Sequence, residues 1–151
     1  MDVSREDRSA QIARRLGYAG LIPFVGLGVA AVLELSLPIA SVTALLFYAA
    51  TILSFLGALQ WGLAIAAPHR THAATLFVAS VIPSLIAWSA LLVSIRATRV
   101  GLAMMAAGFV GWYLWERVSS WSDYPGWFQR LRGTLTTIVS ITLAVVAITT
   151  H

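Results

Sequence analysis

Five long apolar stretches separated by short polar segments fill most of the chain: Leu16–Leu33, Val42–Ala67, Ala73–Ile95, Val100–Trp115 and Gly133–Thr149. Several run for about 18–25 positions without a charged residue, and a helix rising 1.5 Å per residue needs about 20 residues to cross ~30 Å of hydrocarbon. The pattern predicts an all-α polytopic membrane protein, a five-transmembrane-helix bundle. Residues 1–15 read as a cytoplasmic N-terminal segment and residues 16–151 as one five-helix domain, with no linker and no convincing internal repeat.

Charge gives the bundle a direction. All ten basic residues are Arg. With five crossings, Arg5, Arg8, Arg14, Arg15, Arg70, Arg117, Arg130 and Arg132 fall on one side and Arg96 and Arg99 on the other. Positive residues stay cytoplasmic, so the N-terminus is expected inside and His151 outside, with Arg96 and Arg99 snorkelling to phosphates. The first 15 residues do not read as a secretory signal, because the apolar run starts late and no clean small-x-small cleavage site follows it. Ser4 and Asp7 have capping-box spacing, which predicts a short juxtamembrane helix from about Arg5 that sets Arg14 and Arg15 at the headgroups.

Composition removes other classes. The chain is 59% hydrophobic and 11% charged, whereas a soluble domain is about one quarter charged. The pI near 10.4 is explained by Arg in short loops beside spans, so nucleic acid is not an expected partner. With no Cys there is no disulfide, thiolate metal site or Cys nucleophile.

Small residues at helical spacing predict close helix seams: Ala50, Ser54, Ala58 and Gly62 in the second span, Ala103, Ala107 and Gly111 in the fourth, Thr136, Ser140 and Ala144 in the fifth. Pro23 predicts a bend in the first span. Pro83 predicts one in the third, where Ser80, Ser84 and Trp88 share a face and the hydroxyls are expected to satisfy carbonyls that the proline leaves free.

The most polar group deep in a span is Gln60, beside Trp61. An unpaired amide in hydrocarbon costs several kcal/mol, so it must face protein, water or a ligand. Gln60, Trp61, Tyr48, Ser84 and Trp88, around helices bent at Pro23 and Pro83, form the best candidate ligand site, and a structural hydrogen-bond node is the alternative. His69 and His72, with Glu116 and Asp123 on the same side, make a metal geometrically conceivable but form no recognisable site; no metal and no cofactor is expected. Glu34 and Glu116 are expected at span ends, which argues against a proton-coupled pump. No Ser has a His or Lys partner at matching depth and no phosphate-binding loop is present, so the chain is not expected to be an enzyme.

The longest connection, Glu116–Arg132, sets Trp121, Tyr124, Trp127 and Phe128 among charges, with a turn at Pro125-Gly126. It is expected at the cytoplasmic headgroups, with Trp127–Arg132 in or starting the last helix. Its residues Trp121, Trp127, Arg130 and Arg132 serve as interfacial anchors or as a partner-docking surface.

Four ordered segments, LGYAGLIPF (Leu16–Phe24), YAATILSFLGALQWG (Tyr48–Gly62), SVIPSLIAW (Ser80–Trp88) and PGWFQRLRGTLT (Pro125–Thr136), resemble the domain of unknown function 3429 family, the transmembrane protein 69-like small bacterial inner-membrane proteins. The resemblance runs from Leu16 to about Val146. It implies a multi-span protein of the bacterial cytoplasmic membrane and supplies no activity. Family members often carry His where this chain has Gln60, so imidazole chemistry is lost there while hydrogen bonding survives. Size, span number and Trp content are similar to the translocator protein family at the level of architecture alone. The expected function is non-enzymatic binding, sensing or transport of a small apolar or amphipathic molecule, lipid or quinone-like, within the bundle. The alternative is an accessory or assembly factor for a membrane protein complex, docking through Trp121–Arg132. The expected partners are accordingly membrane lipids, such a ligand, or a membrane protein.

Overall fold

The computed structural model describes residues 3–35, 40–66, 73–119 and 124–150, with the backbone alone for residues 3–7. The described residues form six helices and no strand: α1 Val3–Ala19, α2 Leu21–Val32, α3 Ser41–Ala66, α4 Ala73–Ser94, α5 Thr98–Ser119 and α6 Gly126–Thr149. Four stretches are long and apolar enough to cross a membrane: Arg8–Val32, α3, α4 and α6. The fifth expected span, α5, carries Arg99, Glu116 and Arg117 and falls short on apolarity. It is nevertheless central, with Leu102 and Met105 enclosed between its neighbours.

The first apolar stretch is divided into α1 and α2, and the break falls at Gly20 rather than at Pro23. A proline perturbs the turn before itself: it has no N–H to give residue i−4, and its ring crowds that carbonyl. Pro23 itself sits in the first turn of α2, where a missing N–H costs nothing. The exposed Gly20 carbonyl receives the Tyr48 hydroxyl of α3 at 2.9 Å. Helix α1 also starts well before the membrane stretch, so the expected juxtamembrane helix and first span are nearly continuous.

Helices α2 to α6 close a ring: α2 packs on α3, α3 on α4, α4 on α5, α5 on α6 and α6 back on α2, with α3 touching α5 across the middle. Phe24, Tyr48 and Phe109 meet edge to face at this centre, with ring centroids 5.1 and 6.0 Å apart. Edge-to-face contact sets the positive edge of one ring on the negative face of the next.

The small-residue stripes turn inward only in part: Ala50 and Thr136 are buried. Gly62, Ala103 and Gly111 are exposed, and no atom lies near a Cβ built on Gly62 or Gly111. The α3–α4 seam is at Gly57 instead: a Cβ there would stand 2.2 Å from the Ser80 carbonyl oxygen and 3.2 Å from the Pro83 ring. Successive helical positions turn by about 100°, so a stripe displaced by one residue points away from its partner. Pro83 is buried in this crossing, and the Ser80 hydroxyl donates to the Phe77 carbonyl at 2.6 Å, not to the Ala79 carbonyl that Pro83 leaves free.

The Glu116–Arg132 connection is mostly helix, since α5 runs to Ser119 and α6 begins at Gly126, and Trp127–Arg132 form the opening turns of α6. At the other end of the bundle Arg99 donates to the Thr150 carbonyl, so this guanidinium satisfies the end of α6.

Gly57→Ala should destabilise the detergent-solubilised protein by about 1–3 kcal/mol, the usual cost of overpacking, while Gly62→Ala should leave its thermal midpoint unchanged. Equal midpoints for the two variants would contradict the close crossing.

Candidate functional site

Two features meet near the end of the bundle that carries the α3 C-terminus and the α6 N-terminus. The first is a polar node. Gln60 of α3 and Glu116 of α5 are both 0% exposed, and Arg132 of α6 is 4% exposed. Arg132 donates to Glu116 Oε2 from Nη2 at 2.5 Å and from Nε at 3.2 Å. Gln60 Nε2 donates to Glu116 Oε1 at 3.3 Å and to the Tyr124 hydroxyl oxygen at 2.9 Å. Gln129 of α6 holds the Tyr124 carbonyl at 2.9 Å, which fixes the ring over Gln60. The buried Trp112 indole N–H, one turn before Glu116, lies beside the carboxylate.

Within the node Gln60 pairs with Glu116 and Tyr124. Glu116, expected at a span end, and Arg132, expected at the interface, are both enclosed by helices. An uncompensated charge in such a place is expensive, and a carboxylate–guanidinium pair with its lone pairs filled removes most of that cost.

The second feature is an apolar cavity of about 440 Å³ between the α1–α2 break, α3 and α6. Its walls are Leu16, Gly17, Gly20, Leu21 and Phe24 on one side, Ile52, Phe55, Leu56 and Leu59 on the second, and Phe128, Leu131, Arg132, Leu135 and Val139 on the third, with Ala13 at the rim. From Phe128 to Val139 it follows α6 for about 16 Å, roughly half a bilayer core. Leu16 and Phe55 line it and are also exposed, so it opens sideways to the lipid between α1 and α3. Gly17 lets α1 close the far side: a Cβ there would meet the Leu131 side chain at 3.1 Å. Arg132 is the one polar side chain in the wall and joins the cavity to the node.

The residues singled out in sequence scatter. At 1.5 Å per residue, Tyr48 and Gln60 stand about 18 Å apart along α3. Tyr48 serves the Gly20 carbonyl, and Pro23 is exposed in the first turn of α2. Pro83 is packed against Gly57, and Ser84 is half-buried on α4. Trp61 is 48% and Trp88 59% exposed, both facing outward, with Trp61 edge-on to Phe77 at 5.0 Å. None of the seven lines the cavity. Of the interfacial set, Trp127 packs edge-on against Phe128 and takes the Arg14 guanidinium over its ring at 5.4 Å, Arg130 is exposed, and Arg132 is withdrawn into the node. Trp121 lies outside the described residues, as do His69, His72 and Asp123, while Glu116 of the same conceivable metal set is committed to Arg132. Sequence reasoning missed Arg132, Leu56, Leu135 and Val139 as a group. The usable signal was Gln60 itself, since a buried amide on one helix requires polar partners on others.

Removing one half of the ion pair strands the other. Glu116→Ala should cost about 3–5 kcal/mol of stability, whereas Glu116→Gln with Arg132→Met should recover most of that loss. Thermal unfolding of the two variants in one detergent measures the difference, and equal losses would deny that the charges depend on each other.

Comparison with known proteins places the molecule. Residues 9–148 match the family described as protein of unknown function, DUF3429. Over 136 residues the chain is 36% identical to transmembrane protein 69 of Xenopus tropicalis, a match covering 85% of this chain and 50% of that protein. The chain therefore spans about half the length of that relative. No solved structure matches. With these matches and its apolar helices, the chain is an all-α, helix-bundle membrane protein that belongs to the DUF3429 family.

Proposed function

We propose that this protein is a non-enzymatic binder of a small amphipathic molecule, lipid or quinone-like, held in the cavity between α1–α2, α3 and α6. The observation that carries the reading is the cavity's form: an apolar wall about half a bilayer deep, a lateral opening toward lipid at Leu16 and Phe55, and one polar side chain, Arg132, at its node end. Ligand sites are typically concave, mostly apolar and oriented by a few placed polar groups, within about 300–1,000 Å³. Docking of a partner complex through Trp121–Arg132 is the weaker reading, because Arg132 spends its charge on Glu116 inside the bundle.

We further propose five crossings, with α5 carried through the membrane by its neighbours, in a bacterial inner membrane. Helix α5 spans about 33 Å at 1.5 Å per residue, and two of its three charges are met within the bundle, Glu116 by Arg132 and Arg99 by the α6 terminus, while Arg117 sits in its last turn. Setting the paired Arg132 aside, the Arg-rich end still points to the cytoplasm. The N-terminus is then inside and the C-terminus outside. Reporter fusions at residues 1 and 151 should place them on opposite faces, and a common compartment overturns the count.

Leu135→Trp, which fills the cavity, should abolish small-molecule retention in native mass spectrometry of the purified protein, while Trp61→Ala and Trp88→Ala should retain wild-type occupancy. Loss with the outward tryptophans and not with Leu135→Trp would move the site elsewhere.

A further inference from the structure

We infer that the head group this cavity accepts is a neutral hydrogen-bond acceptor, of the quinone or ester carbonyl class, and that anionic heads are excluded; the inference rests on the cavity being the ligand site. Arg132 is the one polar side chain among the described residues of the wall, and it is almost completely enclosed. Its Nε and Nη2 are both turned to Glu116 Oε2. A guanidinium has five N–H donors in a fixed planar fork. The two on Nη1 have no hydrogen-bond partner among the described residues, on a side chain that forms part of the cavity surface. Among the described side chains of its wall, the cavity thus offers the donors of Arg132 and otherwise carbon.

Charge then chooses among acceptors. A lone Arg at the end of an apolar slot would select a carboxylate or phosphate. Here Glu116 already neutralises the guanidinium, and no second cation lines the slot. The guanidinium of Arg14, next to the rim residue Ala13, lies over the Trp127 ring. Bringing in an anion would leave one uncompensated negative charge in a low-dielectric site next to a carboxylate, a penalty of the same kind that the ion pair removes. A carbonyl oxygen takes the spare N–H groups without adding charge. The stretch of about 10 Å along α6 from Arg132 to Val139 suits a single apolar tail.

The test uses the full chain in detergent at neutral pH and native mass spectrometry with three probes: decylubiquinone, methyl laurate and laurate. Binding is counted as the excess over the Leu135→Trp variant, which removes non-specific partition. At least one neutral probe should exceed laurate by about tenfold or more, the equivalent of 1.4 kcal/mol. The quinone against the methyl ester then distinguishes the two sources of a neutral carbonyl. Glu116→Gln, which frees the guanidinium, should turn the preference toward laurate. If laurate equals or exceeds both neutral probes in the wild-type protein, the head-group inference is overturned and the cavity stands as a site for anions. If none of the three exceeds the Leu135→Trp baseline, the cavity itself is not the ligand site. Should Glu116→Gln fail to fold, the wild-type comparison alone decides the matter.

Discussion

The structure depends on the Glu116–Arg132 pair. On a membrane scale either charge alone costs roughly 2.5–3.5 kcal/mol at the centre of a helix, and hydrophobic packing within a bundle offers no substitute for lost water. Joined at 2.5 Å, with Gln60 filling the second carboxylate oxygen, the two charges tie α5 to α6 and both to α3. The partners stand three residues from the end of α5 and six from the start of α6, so their meeting also sets the depth at which the two helices cross. A slip of either helix by one turn, about 5.4 Å, would separate the charges. Such a pair is weak evidence for added stability and better evidence for a fixed register.

From that register the cavity follows. Arg132 is held toward α5, so the face of α6 from Leu131 to Val139 turns its apolar side toward α1 and α2. These do not fill the space, because the chain breaks at Gly20: α2 leans into the bundle through Phe24, while α1 runs past with Leu16 outside. Tyr48 holds the Gly20 carbonyl at the break, and the gap between α1 and α3 remains as a doorway. Trp61 and Trp88, which attract notice in the sequence, face outward instead.

Hydropathy made the helices legible, because lipid requires long apolar runs and the turns between them are short. It placed α2, α3, α4 and the body of α6 within a few residues. It failed where charge is buried. A window of hydropathy treats Glu116 and Arg132 as the ends of spans, since it has no means to cancel one charge against another sixteen residues away. Hence Glu116–Arg132 reads as a loop while the chain is helical over most of it. The stripes succeeded only in part, for a related reason. Small residues recur by composition in this chain, and the choice between Gly57 and Gly62 as the seam is made by which one faces a neighbouring helix, a fact absent from the stripe. Gln60 was the informative residue: its need for a partner was certain from sequence, and its partners were knowable only once three helices met.

The cavity wall and the ion pair share Arg132, and for the proposed ligand this has a consequence for how binding would be felt. A carbonyl placed on Nη1 polarises the same guanidinium that holds Glu116, and hydrogen bonds in series strengthen one another in a low-dielectric interior. Gln60 and Tyr124 are on the far side of that carboxylate, and Tyr124 is fixed through Gln129 to the start of α6. An occupied cavity would therefore tighten a chain running from the lipid-facing slot through Arg132, Glu116 and Gln60 to the segment between α5 and α6. The effect requires no movement of a helix, only a stiffer node. The segment that would feel it is the one carrying Tyr124 and Gln129, at the start of α6, which the hydrogen bonds join to Arg132 through Gln60 and Glu116.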